Sequence, residues 1–402
     1  MGITFCIIKE RKNPPDRRVV FSPEKLAEAK KQFPEATFII ESSNIRVFSD
    51  SAYQDLGFKV TSDVNNCDVM IGVKEVPITS LVANKIYFFF SHTIKEQPYN
   101  RELLKAIIDK NITLYDHETI VSNEGFRLIG FGFYAGVVGV YNGFRAWGLK
   151  YDTWHLPKAG TLSNQTALIE QLNTLEIPNI KILLTGSGKV SNGAQKMLDA
   201  INIRSVSVFD YLNNTFKEPV YCKIDVLDYN IRKDGRIINN TDFFNNPQDY
   251  VSNFMRFAKV TDYYIAGHFY GTGAPYLYTR NDVKSNDFNI KVVADISCDV
   301  DGPVATTIRA STIAEPIYGY NPETETEIDY RDDKAITVMA VDNLPCELPK
   351  DASEGFGELF LQHVLPAFFN NDKDGILQRA KITEHGKLTN NFSYLQNYLN
   401  GV

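Results

Sequence analysis

The stretch 179–197 (NIKILLTGSGKVSNGAQKM) limits the fold more than any other part of this chain. Residues 180–184 form a compact run rich in Ile and Leu, opened by Pro178 and closed by Thr185-Gly186, which predicts a buried strand. The glycine-bearing turn Gly186-Ser187-Gly188 follows, and Ala194, Met197, Leu198 and Ile201 then recur at helical spacing. Strand, tight turn and helix in that order make the first half of a dinucleotide-binding unit. Gly186 permits the turn, Gly188 lets backbone N–H groups approach a pyrophosphate, and the helix N-terminus meets the negative charge. Ser191 stands where the usual fingerprint has its third glycine. Residues 205–209 read as a second apolar strand, and Asp210 follows about two dozen residues after Gly186, where a carboxylate binds the ribose diol of NAD. A carboxylate there repels the 2′-phosphate of NADP, so NAD is the expected cofactor.

At 402 residues the chain is long enough for two domains of ordinary size. Its net charge is −7 with no basic cluster, which argues against nucleic acid or an anionic membrane as partner. The longest apolar run, 129–140, is too short and too glycine-rich to span a bilayer. The first apolar residues, 3–8, pass straight into Lys9-Glu10-Arg11-Lys12, so no signal peptide is expected. Cys6, Cys67, Cys222, Cys298 and Cys346 show no CxxC pairing, as in a cytoplasmic protein with reduced thiols. No zinc, P-loop or GxSxG signature is present, and no metal is expected.

Along the chain, apolar strands at 3–8, 37–40, 68–73, 86–90 and 112–115 alternate with helical patterns at 22–33 and 103–108. Such alternation predicts an α/β fold with a largely parallel sheet. A long helix at 131–147 and a polar linker at 152–164 lead to the nucleotide unit, with further strands at 263–266, 290–296 and 336–340. An amphipathic helix at 352–369 and the tail at 379–399 are expected to return to the first sheet. The expected architecture is therefore two Rossmann-like parallel-sheet domains with a cleft between them. The first, discontinuous domain comprises residues 1–133 plus 350–402 and binds substrate, and residues 134–349 bind NAD.

Lys74 and His92 both follow apolar strands of the first sheet at their carboxyl ends. A lysine of lowered pKa and a histidine meeting in one cleft can exchange protons with an amine or carbonyl; each also reads as an ordinary loop or core residue. Arg17, Arg18 and Arg127 can bind carboxylates through bidentate forks. Asp116 and Glu118 follow another strand end, where they can tune a lysine or receive an ammonium group. His268 follows a strand of the nucleotide domain and can face the nicotinamide. Asp295 and Asp299 form a carboxylate pair with no metal cluster beside it.

Taken together, these motifs resemble the lysine–ketoglutarate reductase (lysine-forming saccharopine dehydrogenase) branch of the alanine dehydrogenase and transhydrogenase superfamily. The marks are Arg18-Val19-Val20-Phe21-Ser22-Pro23, Gly72-Val73-Lys74-Glu75, Phe89-Phe90-Ser91-His92-Thr93, Gly130-Phe131-Gly132-Phe133-Tyr134-Ala135-Gly136, the loop 186–191, the segment 295–299, Val341-Asp342-Asn343-Leu344-Pro345, and the tail motifs at 379–389. The resemblance implies that Lys74 and His92 are the acid–base pair, that Arg18 and Arg127 bind substrate carboxylates, and that Glu75 and Glu118 set the surrounding charge. It also implies that Gly186, Gly188 and Asp210 hold NAD, with Asp299 near the nicotinamide; Ser191 in the same loop and His268, which also reads as a structural histidine, are the further cofactor-binding candidates. The implied reaction joins an amino acid to a 2-oxo acid such as 2-oxoglutarate as an imine and reduces it to a secondary amine. The partners expected are those two small molecules and a further copy of the chain in a homo-oligomer. Many branch members are fused to a second enzyme domain, which this sequence does not include, and the loop Gly271-Thr272-Gly273-Ala274-Pro275 matches no pattern of the family. An alanine-type dehydrogenase using pyruvate and ammonia, and a catalytically silent NAD sensor, are the competing expectations.

Overall fold

The computed structural model describes residues 2–401 and divides the chain into two compact units, Met1–Phe131 with Pro349–Val402, and Gly132–Leu348. Each holds an eight-stranded sheet flanked by helices, so the fold is α/β with a discontinuous first unit. Among the described residues no helix is long and apolar enough to cross a membrane.

In the first unit six strands run parallel: β1 (Thr4–Ile7), β2 (Thr37–Glu41), β3 (Lys59–Thr61), β4 (Val69–Ile71), β5 (Ile86–Phe89) and β6 (Thr113–Asp116). Their order in the sheet is β6-β5-β4-β1-β2-β3. The inner strands β1, β4, β5 and β6 are almost wholly buried, as continuous apolar runs are in a sheet covered on both faces, while the edge strand β3 is not. The helix Pro23–Gln32 starts where Ser22 accepts a bond from the Lys25 N–H, with proline in its first turn and Glu24 near the positive end of its dipole. The tail returns to this sheet: Lys381–Glu384 pairs antiparallel with β6, and Lys387–Leu388 extends the edge. The expected helix at 352–369 is divided. An α-helix, Pro349–His363, stops before Pro366, and a 3-10 turn, Leu365–Phe368, follows. Proline has no N–H to continue the ladder and its ring collides with the preceding turn. From these two pieces Phe360 and Phe368 pack on Phe88, at ring separations of 5.6 and 5.9 Å.

In the second unit β7 (Lys181–Thr185) is an inner strand, flanked by Tyr263–Ala266 on one side and Val220–Ile224 on the other. The expected strand at 205–209 forms over two residues only, β8 (Arg204–Ser205), and the chain then turns into the helix Val208–Asn213. Ser207 caps that helix and Asp210 stands three residues on, the Ser-x-x-Asp pattern of a helix start, which overrides the strand preference of Val206, Val208 and Phe209. The strand beside β7 is instead β9 (Val220–Ile224), and β8 pairs only with β9.

The helices Gly132–Tyr151 and Lys189–Ala200 pack on each other through glycines. A Cβ on Gly136 would lie 1.9 Å from the Val190 carbonyl oxygen, and one on Gly193 would lie 1.9 Å from that of Phe133. The two backbones approach too closely for any side chain. Gly193→Ala is therefore expected to destabilise the protein by about 1–3 kcal/mol in urea unfolding, through overpacking. Gly188→Ala, whose Cβ meets open space, is expected to cost less than about 1 kcal/mol.

Candidate active site

Because β1, β4, β5 and β6 are parallel neighbours, their carboxyl ends share one edge of the first sheet. Ligands of parallel sheets bind at that edge. Lys74 and Glu75 follow β4, His92 follows β5, Asp116 ends β6, Glu118 lies in the turn beyond it, and Glu10, Asp16 and Arg18 follow β1. The structure thus gathers the sequence-predicted residues of this unit at one end of one sheet.

His92 adopts a left-handed backbone, φ 54°, and its Nδ1 lies 2.6 Å from Glu75 Oε1. Lys12 Nζ reaches the other Glu75 oxygen at 3.0 Å. Burial alone would raise the Glu75 carboxyl, but the bonds from His92 and Lys12 outweigh it and hold the group at about 2. Glu75 is therefore an acceptor near neutral pH. Facing that acceptor, Nδ1 of His92 is the donor of the 2.6 Å contact. Arg18 is only 3% exposed. Its Nε and Nη2 meet the two oxygens of Asp16 at 3.1 and 2.6 Å, and its guanidinium stacks 4.2 Å above the Phe131 ring. Burial would raise Asp16, yet Arg18, assisted by the charge of Lys74, holds it at about 2. One face of the Arg18 fork is thus already engaged. Arg127 is exposed, with Nη2 3.7 Å from Glu118 Oε2, and Lys95 Nζ stands 3.2 Å from Glu118 Oε1.

His117 is fully buried against Phe90 and Phe356 and donates from Nε2 to the Gly72 carbonyl at 2.8 Å. Burial pushes its pKa down to about 4. It supports the strand end that leads into Lys74.

In the second unit Gly186 has φ 100°, and a Cβ there would meet the Gly267 carbonyl oxygen at 2.7 Å. Gly188 begins the helix Lys189–Ala200 with no side-chain cap and open space around it. Ser191 Oγ and His268 Nε2 are buried with no hydrogen-bond partner among the described residues. His268 Nδ1 bonds Thr185 Oγ1 at 3.0 Å, and burial lowers the ring's pKa to about 4, so the ring is neutral. An uncapped twelve-residue helix start beside a glycine turn, with two unpartnered polar atoms, fits a dinucleotide phosphate. Asp295 is committed to the protein, bonding Ser297, Cys298 and Thr307. Asp299 is half-buried, and burial raises its carboxyl.

Asp210 does not stand where the sequence places it. It lies in the helix after the outer strand β8, with Oδ2 bonded to Ser207 Oγ at 2.7 Å and Oδ1 to Asn214 Nδ2 at 2.9 Å. The carboxylate at the end of the strand next to β7 is Asp225, which directly follows β9, and the carbonyl of Ile224 accepts the Gly186 N–H at 2.8 Å. The apolar run Val220-Tyr221-Cys222-Lys223-Ile224 before an acid was its sequence signal. Glu10 and Asp16 were missed too, although Asp16 stands two residues before Arg18 in a proline-rich loop.

Two α/β units, one with a charged strand edge and one with a strand, glycine turn and helix, define a two-domain protein of Rossmann-like fold. More particularly, residues 6–138 match the family described as alanine dehydrogenase/PNT, N-terminal domain. The chain is 26% identical to the alpha-aminoadipic semialdehyde synthase of Arabidopsis thaliana, over 97% of its own length and 41% of that protein. It is 23% identical to the saccharopine dehydrogenase [NAD(+), L-lysine-forming] of Yarrowia lipolytica, over 81% of this chain and 82% of that one. A solved L-alanine dehydrogenase shares the fold, with a TM-score of 0.65 at 16% identity over 99% of each chain. The chain therefore spans less than half of the semialdehyde synthases it matches and most of the saccharopine dehydrogenases. The resemblance read from the motifs holds in these comparisons.

His117 has a pKa of about 4 in the folded state and about 6.5 unfolded. Its contribution is present above pH 6.5 and lost as pH falls through 4, about 3 kcal/mol over that window. His117→Gln, which keeps a donor for Gly72 but does not titrate, is expected to flatten the acid limb of stability measured by urea unfolding between pH 7 and 4.

Proposed function

We propose that the chain is an NAD-dependent oxidoreductase of the saccharopine dehydrogenase (lysine-forming) type, acting on the CH–NH bond of an amino acid. In this reading it reduces the imine of an amino acid and a 2-oxo acid such as 2-oxoglutarate. The observation that carries the reading is the Glu75–His92 contact at 2.6 Å on the strand edge that also bears Lys74. The matches to saccharopine dehydrogenases and semialdehyde synthases support it.

When bound, NAD supplies the hydride acceptor or donor. The chain's own residues do the rest. Ionised Glu75 orients His92 through the Nδ1 contact, so that His92 takes a proton at Nε2 and returns it. Lys74 serves as the second proton carrier, since carbinolamine dehydration needs an acid while imine formation needs a neutral amine. Arg18 and exposed Arg127 hold the substrate carboxylates. Glu118 receives a distal ammonium. In the second unit, Gly186, Gly188 and Ser191 hold the pyrophosphate, His268 and Asp299 lie toward the nicotinamide, and Asp225 takes the ribose role first assigned to Asp210.

The assay is NADH oxidation with lysine plus 2-oxoglutarate, set against pyruvate plus ammonia. Turnover with the first pair supports the proposal; turnover with only the second makes the protein an alanine-type dehydrogenase. Lys74→Met and His92→Gln are each expected to lower kcat by about a hundredfold or more, the scale of a lost acid–base group. Asp225→Ser, which retains a helix cap, is expected to shift preference toward NADPH, while Asp210→Ser leaves it unchanged. The reverse pattern returns the ribose role to Asp210.

A further inference from the structure

Both candidate proton carriers rise from irregular turns, just where parallel strands end and their N–H groups run out of ladder partners. In each case a buried carboxylate from the neighbouring strand supplies the acceptors. Glu10, just beyond the end of β1, accepts the Val73 N–H at 2.7 Å on Oε1 and the Lys74 N–H at 2.8 Å on Oε2. Asp116, the last residue of β6, accepts the Ser91 N–H at 2.7 Å and the His92 N–H at 3.1 Å on Oδ2, together with the Ser91 hydroxyl at 2.6 Å. Glu10 is 8% exposed and Asp116 is fully buried.

The symmetry follows from the strand order. In the run β6-β5-β4-β1 the two inner strands carry the reactive turns, and the two outer strands carry the acids that hold them. A buried carboxylate is costly unless its oxygens are bonded, and here the bonds go to consecutive amides of a reactive turn. The Asp116 bond also restrains His92 in its left-handed conformation, which a non-glycine residue adopts only against steric crowding of its Cβ. His117, bonded to the Gly72 carbonyl, supports the Lys74 turn from the other side.

We propose that Glu10 and Asp116 are positioning residues, each fixing one of the two turns, so that the Lys74 ammonium and the His92 ring are presented to substrate in one geometry. The assignment rests on Lys74 and His92 being the acid–base pair. Neither carboxylate exchanges a proton with substrate; each acts only through the turn that it holds.

The test compares Glu10→Gln and Asp116→Asn with Lys74→Met and His92→Gln in the full chain, using NADH and whichever of the two substrate pairs turns over. Each amide variant loses one acceptor oxygen and sets an NH2 group against a backbone N–H. The expected result is a fall of about tenfold or more in kcat, with NADH affinity, read by its fluorescence, unchanged. Glu10→Gln added to Lys74→Met should lower turnover no further than Lys74→Met alone, because both act through one turn. Wild-type kcat in folded Glu10→Gln and Asp116→Asn, with Lys74→Met and His92→Gln impaired, overturns the positioning role alone. Wild-type turnover in Lys74→Met and His92→Gln overturns the acid–base reading and the positioning role with it. Should an amide variant fail to fold, Glu10→Asp or Asp116→Glu keeps the charge, displaces the oxygens by one methylene, and is judged by the same loss of kcat at constant NADH affinity.

Discussion

Amide groups at the carboxyl ends of parallel strands have no ladder partner, and inside a sheet covered on both faces they have no water either. The first unit answers this with acidic side chains. Glu10 takes the amides after β4, Asp116 takes those after β5, and Glu41, ending β2, takes the Lys9 N–H after β1. The satisfaction of backbone donors and the placement of negative charge are thus one arrangement, because the same oxygens that complete the hydrogen bonding also set the field around Lys74 and His92.

That field is ordered by burial. Asp16 and Glu75 are held at about 2 by paired cations, while Glu10, whose neighbours are mainly amides, is pushed up to about 7. Burial opposes ionisation at all three, and a fully charged partner within hydrogen-bond distance decides which sign wins. A histidine whose Nδ1 meets a strongly ionised acid has its tautomer decided, with Nδ1 as the donor.

The second unit solves a different problem, the close approach of backbone to backbone. Gly136 and Gly193 let two helices touch, while Gly186 passes the chain tightly beneath Gly267. Gly188 then starts a helix without a capping side chain. Four glycines in one neighbourhood serve separate geometric ends, and Ser191, in place of the third fingerprint glycine, is buried with its hydroxyl unpartnered.

Much of this was legible in one dimension. Local pattern revealed the α/β class, β7 with its glycine turn, the strands that precede Lys74 and His92, and the return of the tail to the first sheet, because apolar period and turn chemistry act over a few residues. Local pattern misplaced the strand at 205–209, where a capping serine competed with strand preference, and with it Asp210. Strand order is a long-range property: only the folded sheet shows that β9 rather than β8 lies against β7, which brings Asp225 beside the glycine turn. The same holds for Glu10 and Asp116, each separated by more than twenty residues from the amides it binds. Sequence by itself determined that Lys74 and His92 lie just beyond strand ends. Only tertiary structure decided which buried acids hold them, since hydrogen bonds across a parallel sheet join residues that no periodicity in the chain relates.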